Sequence, residues 1–110
     1  MPTAEELYDR GVDLFAEGKY DEAIAAYGEA LDLDPGFVDA LHGLAMAFAE
    51  KGELEAAIAA AKRITEASVD DPLGYTSLSM LYQRAGRIAE AEAAANQARV
   101  LEWKRELKKS

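Results

Sequence analysis

The side chains able to do chemistry are few, and their spacing does not suit catalysis. The 110 residues include one histidine, His42, and no cysteine. A hydroxyl nucleophile needs a neighbouring base that is itself held by a third group. Ser68, Ser77, Ser79 and Ser110 have no second histidine from which to build such a network. Asp39 and His42 stand three residues apart, which puts both on one face of a helix as half of a metal site. A tetrahedral site needs further ligands at matching spacing, and none follow, so neither metal nor cofactor is expected. The eight glycines are scattered singly, so no loop is built to cradle a phosphate. Acid pairs such as Glu5-Glu6, Asp21-Glu22 and Asp70-Asp71 read as solvated helix starts, not as buried pairs with separated pKa values. The sequence is not expected to be that of an enzyme.

Charge narrows the partner. The net charge is −9, and it is uneven. Residues 1–55 carry three bases against fourteen acids, a net −11, whereas the remaining residues carry nine against seven, a net +2. Four of those bases, Lys104, Arg105, Lys108 and Lys109, crowd the C-terminal end, where a helix dipole favours cations. An acidic front half repels phosphate backbones, so no nucleic acid is expected as ligand, while a basic protein surface would be drawn in. The start, Met-Pro-Thr-Ala-Glu-Glu, has no basic segment followed by an apolar one, so no secretory signal is expected. Apolar runs such as residues 56–61 are far shorter than a membrane helix needs. No membrane contact and a cytoplasmic location are the corresponding expectations.

What must position these groups is a repeat. Gly18, Gly52 and Gly86 fall 34 residues apart. Other columns keep step with them: Leu7, Leu41 and Tyr75; Gly11, Ala45 and Ser79; Leu14, Phe48 and Tyr82; Tyr20, Leu54 and Ile88; Ala23, Ala57 and Ala91; Ala30, Ile64 and Ala98. Before each glycine the apolar residues recur at i, i+4, i+7, i+8, the spacing of one helical face, and the glycine tolerates the left-handed backbone that ends a helix. A second helix follows, through Ala23, Ile24, Tyr27, Ala30 and Leu31 in the first copy. Alternating small and large residues let the two antiparallel helices interlock. Thr3 with Glu6 forms a capping box, and Asp71-Pro72 sets a side-chain acceptor before a proline suited to a first turn.

These columns and their period resemble the tetratricopeptide repeat family. The first copy carries the resemblance most closely, through Gly11, Gly18-Lys19-Tyr20, Glu22-Ala23-Ile24, Tyr27, Ala30-Leu31 and Leu33-Asp34-Pro35. The expected fold is an all-α, right-handed α-solenoid of three helix-turn-helix repeats, about 4–37, 38–71 and 72–105, with a C-terminal helical extension to 110 in one domain, 1–110. The chain departs from the family in two columns. The proline column reads Pro35, Val69, Trp103, so the second inter-repeat turn relies on Asp70-Asp71-Pro72. Leu7, Leu41 and Tyr75 replace the family's frequent tryptophan.

The resemblance implies that the first helix of each copy lines a concave groove. Matching columns give Tyr8, Asp9, Val12 and Phe15 from the first copy and Asp39, His42 and Met46 from the second, with Thr76, Met80 and Gln83 from the third. Glu5, Ala49, Leu73 and Ser77 stand in the same columns. The family's chaperone-binding members clamp a peptide carboxylate with basic and amide side chains. Here the matching positions are acidic, apolar or small, which argues against such a clamp. The strip Tyr8, Val12, Met46, Met80 instead suits an apolar peptide or amphipathic helix with basic flanks, or else packs between copies. The expected function is a protein-protein interaction scaffold or adaptor binding a peptide or helix in that groove. Two other readings stay open: a self-assembling module, with Trp103 and Leu107 as an end face for a homodimer, and an engineered or consensus-like scaffold without a native ligand.

Overall fold

The computed structural model describes residues 1–109; Ser110, the last residue of the expected extension, lies outside them. Six helices follow one another: α1 (Ala4–Ala16), α2 (Tyr20–Leu33), α3 (Val38–Glu50), α4 (Leu54–Ala67), α5 (Leu73–Arg84) and α6 (Ile88–Lys109). There is no strand among the described residues. Each helix packs on the next in the chain; α1 also approaches α3, which sets the first helices of successive pairs as the inner layer of an all-α repeat solenoid.

Each pair is closed by the same local device. Gly18, Gly52 and Gly86 have φ of 77°, 80° and 77°, a region where a Cβ would crowd the backbone. That conformation turns the next two amide groups back onto the helix just ended. Gly18 N–H donates to Phe15 O at 2.9 Å and Lys19 N–H to Leu14 O at 2.9 Å. The matching bonds recur at Gly52 and Glu53, and at Gly86 and Arg87. Carbonyls that a helix end would leave orphaned are thereby satisfied locally, and Ala49 O also accepts from Arg84 Nη2 at 3.3 Å. At the N-terminus Glu6 N–H donates to Thr3 Oγ1 at 3.1 Å and Thr3 N–H to Glu6 Oε1 at 3.1 Å, completing the capping box.

The two inter-pair turns share a geometry although their sequences differ. Phe37 N–H donates to Asp34 O at 3.1 Å in the first, and Asp71 N–H to Ser68 O at 3.1 Å in the second. Val69, exposed, stands where Pro35 stands in the first turn. Asp71 Oδ1 then accepts from Leu73 N–H at 2.9 Å across Pro72, whose φ of −66° already suits a helix, so the cap comes from the residues three further on. After α6 has passed Ala98, no glycine or proline interrupts it, and it runs for 22 residues against 14 in α2 and α4. The excess projects about 12 Å beyond the length of its counterparts.

Two clusters make a continuous core. One joins Leu7, Tyr27, Leu31, Leu41, Leu44 and Ile64; the other joins Ile58, Leu78, Leu81 and Tyr82 through an alanine-rich interface that includes Ala57, Ala61 and Ala91. Tyr27 is the knob of the first cluster. A Cβ on Gly11 would lie 2.6 Å from Tyr27 Cε1, and one on Gly43 would lie 2.5 Å from Tyr27 Cζ. The ring therefore occupies the space that two missing side chains leave, one on α1 and one on α3.

Candidate functional site

On α1 the residues facing α2 are Leu7 and Gly11, both buried, which leaves Tyr8 at the edge of that face, half-buried and turned toward α3. On α3, Asp39, His42, Gly43 and Met46 follow at helical spacing and complete the opposite wall. Tyr27 rises from α2 between the two helices and forms the floor. The result is a cleft of about 190 Å³ lined by these residues and Phe15.

Its aromatic rings are locked together. Tyr8 lies 5.9 Å from Tyr27 and 5.3 Å from Phe37 between centroids, and Phe15 meets Tyr20 edge-on at 5.2 Å. Such tilted and edge-on contacts suit the quadrupoles of the rings and stiffen the walls. Burial, then the carboxylates of Asp39 and Asp9, push the Tyr8 phenol above its ordinary pKa, so it presents a neutral hydroxyl. Burial, and then Tyr8, raise Tyr27 in the same direction. His42 Nδ1 is buried and has no hydrogen-bond partner. A buried polar atom without a partner is costly, so the ring is poised to accept or donate one further bond. Asp39 and Asp9 are exposed on the rim.

The strip expected from the sequence is divided in the structure. Tyr8, Phe15, Asp39, His42 and Met46 meet in the first cleft. Thr76, Met80 and Gln83 line a separate one of about 330 Å³, between α5 and α6, with Ser79, Ala95 and Arg99. Asp9 and Val12 line neither; Val12 is 40% exposed beside the first cleft. Two residues of the same columns are unavailable. Ala49 and Ser77 are buried, because α4 and α5 pack over the side of the inner layer that those columns face. Met46 packs partly against the core, whereas Met80 is 42% exposed, so the strip is neither all groove nor all interface. Trp103 and Leu107 are both exposed.

Sequence reasoning missed Tyr27 and Gly43 as cleft residues. Tyr27 reads as core because it falls on the apolar stripe of α2, and only the pairing of Gly11 with Gly43 signals that a ring passes between them. It also missed a third cleft, about 250 Å³, where Tyr75, Leu78 and Tyr82 meet Glu90, Ala94 and Gln97. Among the described residues no three His, Cys, Asp or Glu side chains gather as a metal site. No helix of the described chain is long and apolar enough to cross a membrane.

The profile described as "Tetratricopeptide repeat" matches residues 14–81. Photosystem I assembly protein Ycf3 of Synechococcus sp. (strain CC9605) is 31% identical over 86 residues, covering 76% of this chain and 50% of that protein. The chain thus spans about half the length of the curated relatives it matches. Among solved structures, MamA superposes with a TM-score of 0.88 at 26% identity, over 94% of this chain and 60% of that one. The second TPR of Spaghetti (RPAP3), bound to the HSP90 peptide SRMEEVD, superposes with a TM-score of 0.81 at 22% identity, over 90% of this chain and 92% of that one.

Proposed function

We propose, from the premise that the chain belongs to the tetratricopeptide repeat family, that it is an adaptor whose α1–α3 cleft takes one apolar side chain of a partner peptide or helix. Protein-protein interaction is the general business of this fold, and the cleft supplies its particular form here. The observation that carries the reading is the joining of rigid aromatic walls to an acidic rim in one place. An apolar anchor gains contact with Tyr8, Phe15, Tyr27 and Met46, and a basic residue beside it meets Asp9 and Asp39. An acidic peptide of the kind seen on Spaghetti fits poorly, since the same rim repels it.

The test uses two labelled peptides, a short amphipathic helix with leucine anchors and lysine flanks, and SRMEEVD. The first binds in fluorescence anisotropy and weakens as salt rises; the second does not bind. Met46→Glu abolishes binding at a small cost in melting temperature, because Met46 packs partly against the core, and Asp39→Lys, at an exposed position, weakens binding with the melting temperature unchanged. Binding that survives both substitutions rules out this cleft. Unweakened binding in Asp39→Lys removes the acidic rim from the reading.

A further inference from the structure

The helix α6 is apolar on two opposite faces. Its inner face, Ala91, Ala94 and Ala98, is buried against the rest of the fold. On the far side Ala89, Ala93, Asn96, Val100, Trp103 and Leu107 recur at spacings of four and three, the repeat of a coiled-coil seam, and all six are exposed. Val100, Trp103 and Leu107 are 42%, 64% and 55% exposed, more large apolar surface than any other helix presents in one line. The seam is not needed by the groove, and nothing among the described residues covers it.

We propose that this face pairs antiparallel with the same face of a second copy of the chain, giving a closed dimer. The choice of a second copy rests on size and charge. Placing Trp103 opposite Ala93 of the second copy also places Leu107 opposite Ala89 and Val100 opposite Asn96. The two largest side chains, Trp103 and Leu107, then each meet an alanine, and the two-fold axis repeats every contact. A parallel pairing would set Trp103 on Trp103 and the basic C-terminal ends side by side. The antiparallel register does the reverse: it brings Lys104 along the edge that carries Glu90 in the second copy, where Glu90 and Glu55 share the single cation Arg87 and leave a net negative charge, twice per dimer. The other edge sets Glu92 opposite Glu106 and Arg99 opposite Arg99 of the second copy, like-charge contacts that hold the affinity down. Asn96, the one polar seam residue, is bonded on its own helix by Arg99 and so can lie against Val100 of the second copy with its amide oxygen satisfied. Because the inner face of α6 carries the body of the fold, the two bodies fall on opposite sides of the helix pair and do not collide.

Sedimentation velocity over a rising concentration series tests the pairing. The mass moves from one chain to two and stops there. Trp103 is the only tryptophan, so its emission shifts to the blue over the same range. Ala93→Glu and Trp103→Ala each weaken dimerisation by about tenfold or more without changing helicity or the melting temperature. Lys104→Glu weakens it, and adding Glu90→Lys to that variant restores it. Leu73→Glu, at an exposed apolar position off the seam, has no effect. A single-chain mass at every concentration overturns the proposal. So does a dimer indifferent to Ala93→Glu, assembly beyond two copies, or loss of the dimer in Leu73→Glu.

Discussion

The first and third helix pairs share a frame and fill it in opposite ways. In the first, Tyr27 fills the space left by Gly11 and Gly43, and three further rings, Tyr8, Phe15 and Phe37, brace the cleft above it. In the third, the columns of Gly11 and Tyr27 hold Ser79 and Ala95, and among the described residues no helix covers the flank that α3 covers in the first pair. Ser79 turns its hydroxyl to Ala91 O at 2.9 Å instead of yielding to a ring. The second cleft is therefore the flank that in the first pair receives α3. The same 34-residue pattern can build a rigid aromatic pocket or an open, small-residue shelf, depending on where its volume is placed.

The sharpest way to break this contrast is to remove the knob. Tyr27→Ala should cost about 4 kcal/mol of unfolding free energy in urea titration, because the cavity lies between two helices that cannot both collapse into it. Gly43→Ala should cost about 2 kcal/mol, since the added methyl meets the Tyr27 ring. Combining the two should cost clearly less than the sum, and strict additivity would mean that ring and glycine do not share the space. At the matching position of the third pair, Ala95→Ser should stay within about 0.5 kcal/mol.

The hairpin glycines probe the opposite expectation, that both ends are alike. Gly18→Ala and Gly86→Ala should each cost about 1 kcal/mol, because both sit at φ of 77° with open space around them. Unequal costs in thermal melts would show that the closure of a pair depends on its neighbours. The smallest effect concerns pH. Tyr8 and Tyr27 ionise at higher pH in the folded chain than in the unfolded one, so the folded state holds protons that the unfolded state has already released. The stability they contribute is complete below pH 10.0, the ordinary tyrosine value, and is lost as pH rises through the folded values. Urea midpoints should fall above pH 10.0, and Tyr8→Phe should make that fall shallower.

What was legible in the sequence was what a few adjacent residues decide. The glycine stops, the Thr3 capping box and the unbroken run into α6 each depend on neighbours within a turn or two. The carboxylate-poor choice of groove residues in the third pair, and the acids of the first, were equally plain. The division of the groove was not. It depends on Tyr27 from α2 rising between α1 and α3, and on Ala49 and Ser77 being covered by packing, and neither follows from the columns alone. A column assigns a residue to a face of its own helix; whether that face opens to solvent is settled by helices 34 residues away.

Because each helix leans mainly on its chain neighbours, with α1 on α3 and α3 on α5 as wider links, the contacts around Tyr27 do not wait for α5 or α6. A ribosome releasing this chain from the N-terminus would deliver α1, α2 and α3 in the order in which they interlock around Tyr27. The aromatic cleft would thus be assembled before α5 and α6 had been translated, and the chain could meet its partner while still being made.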